Sequence, residues 1–195
     1  MTRFAKFISY IFHPIVFFLI MPYVIVYKIT ANHFYAIKWE VFSSAFIFMG
    51  IILILFGRLR GAFSDEDVSV RNERNRLFFI LYILSLSYFV IALFFKGIFF
   101  PLSIIAFSIV LGILLFNIVN KFIKVSIHCA IASAFVTAIA ILLGIEGFLA
   151  TIFIIPLTIW SRIVLRKHTV NEAVIGGFLG ILITFLTFLT GKYFY

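Results

Sequence analysis

Three short polar stretches hold residue types able to handle an anion. The richest is Ser161-Arg162-Ile163-Val164-Leu165-Arg166-Lys167-His168-Thr169-Val170-Asn171-Glu172. It sets cations beside His168 and places a carboxylate, Glu172, four residues further on. On a helix that spacing brings acid and imidazole onto one face. A second stretch, Lys124-Val125-Ser126-Ile127-His128, joins an ammonium, a hydroxyl and another imidazole. A serine at a helix start caps it, and the first-turn amides with the helix dipole suit an anion. The third, Arg71-Asn72-Glu73-Arg74-Asn75-Arg76, supplies guanidinium groups, whose planar forks bind phosphate-like oxygens bidentately. Taken singly, each stretch also reads as a charged membrane-surface loop or an ordinary capped helix.

Other chemistries have weaker support. His13, His33, His128 and His168 lack the close spacing of a metal pair. Asp65-Glu66-Asp67 is acidic, but no second carboxylate group completes a two-metal site, so it reads as a solvated loop. No glycine-rich phosphate loop is present, and no metal or other cofactor is expected. Gly176 and Gly180 have the small-residue spacing of close helix packing within a bundle. His13-Pro14 reads as an interfacial kink, and the single cysteine, Cys129, as a small packing residue.

The elements that must position these residues are apolar. Of 195 residues, 65% are hydrophobic and 12% charged, against about 45–50% and about 25% in a soluble domain. Mean hydropathy is +1.25. There is too little polar surface to coat a water-soluble globule. The chain is expected to be all-α, a polytopic transmembrane bundle forming a single integral membrane domain over 1–195. No cleavable signal peptide is expected, because the first apolar run is too long. The net charge of +9 fits anionic headgroups or a phosphate ligand, and nucleic acid is not an expected partner. The oligomeric state is not legible.

Spanning helices need about 20 apolar residues each. The expected spans are Phe7 to Tyr27, Val41 to Phe56, Leu77 to Phe95 and Ile98 to Val119. A fifth starts near Ser126, a sixth ends near Trp160, and a seventh runs from Ala173 to Leu189. A turn at Gly144, Glu146 and Gly147 divides the fifth from the sixth, and Lys96-Gly97 turns between the third and fourth. Residues 28–39 are expected to be a connection. Pro156 leaves six spans as the alternative count. Alternation then puts the N-terminus, 57–76, 120–125 and 161–172 on one face, so all three polar stretches can meet. Lys28, Lys38, Lys96 and Lys192 alone of the 16 Lys/Arg fall on the other face. By charge, the motif face is expected in the cytoplasm of what is expected to be the cell membrane.

These stretches resemble, in order, the three signatures of the type 2 phosphatidic acid phosphatase superfamily. Ser161, Arg162 and His168 match S-R-x-x-x-x-x-H-x-x-x-D in register, with Glu172 at the Asp. Ser126 and His128 match P-S-G-H, with Val125 and Ile127 at its Pro and Gly. Arg74 matches the Arg of K-x-x-x-x-x-x-R-P; its Pro is replaced by Asn75 and its Lys position falls on Asp67. The resemblance covers a core of about 71–190. It implies metal-independent hydrolysis of a lipid phosphate monoester or diphosphate through a phosphohistidine. His168 would attack phosphorus, Glu172 would orient it, and His128 would protonate the leaving oxygen. Arg74, Arg162, Arg71 or Lys124, Ser126 and Ser161 would hold the phosphate or its loop. Phosphatidic acid, phosphatidylglycerol phosphate and polyprenyl phosphates all qualify as substrates. Many members of the family work on the outer face, against the charge argument. The departures from the signatures keep two alternatives open: a lipid-phosphate binder or transporter with a decayed site, and a lipid phosphotransferase.

Overall fold

A computed structural model describes residues 1–65, 68, 70–94 and 99–194. Asp67 and the expected Lys96-Gly97 turn lie outside the described residues. The described chain is helical: α1 (Thr2–Ile11), α2 (Pro14–Thr30), α3 (His33–Leu59), a 3-10 turn (Arg71–Glu73), α4 (Arg74–Phe94), α5 (Phe99–Asn120), α6 (Ile127–Thr151), α7 (Ile154–Val164) and α8 (Val170–Phe194). Five segments are long and apolar enough to cross a membrane: Thr2–Thr30, His33–Leu59, Arg71–Phe94, Ile127–Thr151 and Val170–Lys192. Ile104–Asn120 and Ile154–Val164 are shorter apolar helices. The protein is an integral membrane helix bundle.

The expected first span is broken. Pro14 cannot donate a backbone hydrogen bond and drives the residue before it out of the helical region. His13 is accordingly extended, at φ −70 and ψ 140, and caps α2. That leaves α1 as a separate helix of 10 residues, about 15 Å long and too short to span. It buries Ala5, Ile8 and Ser9 and packs on α7, while Phe4, Phe7 and Tyr10 stay exposed. The expected connection over 28–39 is also shorter than the sequence suggests. Helix continues to Thr30 and resumes at His33; Ala31 at φ 51 and the capping Asn32 make the turn.

At Gly144 the chain reverses where expected. Its φ of 71 and ψ of −155 are non-helical. In a straight helix, residues 139 and 147 would be about 12 Å apart along the axis. Instead, a Cβ on Gly147 would meet the Ile139 carbonyl at 3.1 Å. Ile154 therefore packs back onto Ala132, Phe135, Val136 and Ile139, with Phe17 of α2 filling the same core.

α6 is the most buried of the long helices, and α8 is its main partner. The contact needs glycine. A Cβ on Gly176 would lie 2.5 Å from the Ser126 carbonyl, and one on Gly180 would lie 2.0 Å from that of Ala130. This close crossing brings the start of α8 against the start of α6, and with it the third polar stretch against the second.

Candidate active site

The stretch after α7 folds back on itself. α7 ends at Val164, and Arg166 takes a left-handed conformation at φ 54. That residue redirects the chain, so the Lys167 and His168 amides both point to the Arg162 carbonyl, at 3.0 and 3.4 Å. Arg162 and His168 thus meet although five residues separate them.

His168 is buried, contrary to the surface position its sequence context suggested. Its Nδ1 lies 2.9 Å from Glu172 Oε2, and its Nε2 lies 3.4 Å from Arg74 Nη2. The carboxylate thereby favours the tautomer protonated at Nδ1 and leaves the Nε2 lone pair available. Burial first, and then the charge of Arg74, push His168 down to about 4; Glu172 pulls the other way, and Lys124 and Arg162 add to the lowering. The ring is neutral at neutral pH, as a nucleophile must be.

Glu172 has two jobs at once. The same Oε2 accepts from the Thr169 amide at 3.2 Å, and the Glu172 amide donates to Thr169 Oγ1 at 3.3 Å. This reciprocal pair is a capping box, which calls for Glu or Gln three residues after Ser or Thr. It accounts for Glu at a position where the resembling signature carries Asp.

Arg74 opens α4 and is buried, with its guanidinium spread across three segments. Nε donates to the Val68 carbonyl (3.3 Å), and Nη1 donates to the Val125 carbonyl (2.7 Å) and to Asn120 Oδ1 (3.4 Å). Arg162, also buried, donates from Nη1 to Ser9 Oγ at 2.9 Å. His128 sits in the first turn of α6, buried and within electrostatic reach of Arg162, His13, His168 and Arg74. Arg74, His128, Arg162 and His168 therefore converge on one end of the bundle.

The remaining sequence candidates hold the frame. Ser126 caps α6 through Cys129 (3.4 Å), and its amide donates to the Glu172 carbonyl at 3.1 Å. Ser161 Oγ donates to the Thr158 carbonyl within α7, at 2.8 Å. Arg71 donates from Nε to the Asn120 carbonyl at 2.7 Å and from Nη2 to that of Lys121, closing the end of α5. Lys124 Nζ donates to the Lys167 carbonyl at 2.9 Å. Burial, then Arg74, lower Lys124 below the usual lysine range; Glu172 opposes this, and Lys167 and Arg162 add to it. Asp65 pairs with Lys167 at 3.3 Å and ties the loop after α3 to the one before α8. Arg71, Asn72, Asn75, Asn120 and Lys121 line a cavity of about 330 Å³ beside Arg74. Among the described residues, no group of three or more His, Cys, Asp or Glu could hold a metal ion.

Residues 119–195 match the family model of the PAP2 superfamily. No curated protein and no solved structure matches the chain. The PAP2 match contains Ser126, His128, Arg162, His168 and Glu172, and it begins after Arg71 and Arg74. The structure nevertheless brings Arg74 onto His168, which lies inside the match. It also brings in two residues that the sequence reading left out, Ser9 and His13. The only signal for His13 was a His-Pro pair, which by itself marks a kink.

Proposed function

We propose that the protein hydrolyses a lipid phosphate monoester or diphosphate through a phosphohistidine on His168. The PAP2 match over residues 119–195 supports a phosphatase acting on phosphate esters. The observation that carries the mechanism is His168 held between the Glu172 carboxylate and the Arg74 guanidinium. In the first step the Nε2 lone pair bonds to phosphorus while the P–O bond to the leaving group breaks. His128, as the acid, passes a proton to that oxygen. Arg74 and Arg162 offset the charge on the phosphoryl oxygens, and Glu172 stabilises the imidazolium as the acid of a serine triad does. In the second step water attacks phosphorus as the P–N bond breaks. Its proton returns to His128, releasing phosphate and free His168. Arg71, Lys124, Ser126 and Ser161 serve mainly by holding the loops that present these groups.

An amphiphilic substrate follows from a site at the end of a lipid-embedded bundle, with the cavity at Arg71 and Lys121 open to its headgroup. The charge asymmetry supports a cytoplasmic site in a cell membrane. The test is phosphate release from a panel of lipid phosphates by purified protein. Turnover should persist in EDTA and fall with vanadate, and a quenched reaction should contain acid-labile, alkali-stable phosphoprotein. Activity lost in EDTA and restored by magnesium would overturn the metal-independent mechanism. Phosphate appearing on an added lipid alcohol rather than in solution would identify a phosphotransferase.

A further inference from the structure

The N-terminal segment reaches two of the residues that the PAP2 match contains. Ser9, buried in α1, accepts from Arg162. Four residues on, the His13 ring stands at 88° to the His128 ring, with centroids 5.0 Å apart. Neither residue lies in the matched stretch.

The His13 ring is itself fixed. Its Nδ1 accepts from the Ile15 amide at 3.3 Å, capping α2. Pro14, with its fixed φ, holds the backbone behind it. A histidine ring turns freely about its last torsion unless neighbours restrain it, because that torsion is broad. His128 lies in the first turn of a helix, and a misplacement of about 1 Å at a proton donor can cost about 10²-fold in rate. A capped, proline-backed imidazole perpendicular to His128 supplies such a restraint.

We propose that His13 is a positioning residue for His128: its locked ring sets the plane in which His128 delivers a proton to the leaving oxygen. The proposal rests on His128 being that proton donor. α1 and the α1–α2 joint then belong to the active site, with Ser9 restraining Arg162 in the same way.

The experiment compares two substrates on the full-length protein: a lipid alkyl phosphate and a nitrophenyl phosphate, whose leaving group departs without a proton. His13→Asn keeps a cap acceptor and removes the ring; His13→Phe keeps a ring and removes the acceptor. His13→Asn should lower kcat on the alkyl phosphate about 10- to 100-fold, with KM within about threefold and the nitrophenyl rate within about threefold. His13→Phe should recover most of the alkyl kcat. His13→Ser, another capping residue, repeats the test if His13→Asn does not yield monodisperse protein. Equal losses on both substrates, or no loss in His13→Asn, would overturn the proposal. His128→Ala separates the two levels. If it loses the alkyl ester selectively and His13→Asn does not, only the inference about His13 fails. If His128→Ala shows no selectivity, the proton-donor role fails and takes the inference with it.

Discussion

The two ends of the bundle each hold a histidine bound through Nδ1, and the partners differ. At the motif end His168 meets the Glu172 carboxylate at 2.9 Å, with Arg74 at the other ring nitrogen. At the opposite end His33 meets the Tyr23 hydroxyl at 2.7 Å and stacks on Tyr27, centroids 4.3 Å apart. A carboxylate and a guanidinium polarise the first ring along its axis. Phenols give the second ring a hydrogen bond and an apolar wall, where His168 has a carboxylate and a guanidinium. Glu40 lies near that end, but its oxygens take the Tyr23 amide and the Ser44 hydroxyl. The surroundings differ too. At the motif end Arg71, Arg74 and Lys124 donate to carbonyls of neighbouring loops, so charge fixes backbone. The contrast teaches that a histidine becomes a candidate nucleophile through the ionic partners on both its nitrogens, which burial then strengthens.

The comparison breaks most directly at His168. His168→Asn should abolish turnover, by more than about 10³-fold, because the proposed covalent intermediate forms on this ring. The protein should still elute as a monodisperse species, since Asn retains hydrogen-bonding capacity toward Glu172 and Arg74. Residual turnover above about 1% of wild type would return the nucleophile to another residue.

Glu172 gives the next largest effect, and its double role makes the test clean. A capping box accepts Gln as well as Glu, so Glu172→Gln should fold with α8 intact. It removes the charge that stabilises the imidazolium, and kcat should fall about 10²- to 10⁴-fold with a smaller change in KM. Glu172→Asp keeps the charge and shortens its reach. It should retain part of the turnover and lose about 1 kcal/mol of capping stability, read from thermal unfolding. Near-wild-type kcat in Glu172→Gln would leave Glu172 as a cap only.

Much of this end was legible in sequence, and the exceptions have physical reasons. Hydrophobic run lengths suggested an alternation of spans that puts Arg74, His128 and His168 on one face, and the structure brings the three to one end of the bundle. The Gly144 turn showed because glycine and a charge interrupt an apolar run. At His13-Pro14 the sequence suggested a kink within one span, and the structure instead ends α1 at Ile11 and starts α2 at Pro14. Residue type made Arg71 and Ser161 candidate phosphate ligands, and it does not reveal that their donors face backbone carbonyls. Glu172 looked like a departure because the Thr169-x-x-Glu172 box and the orienting acid share one oxygen, and a signature records only the second role.

The ionic surroundings of His168 also set a pH dependence. Its imidazole is held at about 4, below the ordinary 6.5, mainly by burial and Arg74. The unfolded chain therefore takes up the proton first as pH falls. Stability from keeping this ring neutral is complete above 6.5 and is lost progressively towards 4. His168→Asn should flatten that part of the stability–pH curve, measured by thermal unfolding between those limits. In wild type an NMR titration should find the His168 ring still neutral at pH 5, a resonance absent in His168→Asn. A His168 resonance titrating near 6.5 would remove the effect of Arg74 and burial from the comparison.

The smallest effect belongs to the other end. His33→Asn removes an exposed ring that, like His168, is held through Nδ1, but by a phenol instead of a carboxylate. If ionic partners make the site, turnover should stay within about twofold of wild type. The loss should be structural instead: one hydrogen bond to Tyr23 and the stacking on Tyr27, together about 1–2 kcal/mol. The turn at Ala31–Asn32 stays capped by Asn32, whose side chain takes the Tyr35 amide, so the α2–α3 hairpin should still form. Thermal unfolding should therefore shift down a little while kcat and KM on a lipid phosphate hold. A tenfold fall in kcat with unchanged stability would mean that the two ends are linked through α2, which carries His13 at its motif end and Tyr23 and Tyr27 towards the other. In that case the histidine at the quiet end would be part of the machinery, and the distinction drawn from its phenolic partners would fail.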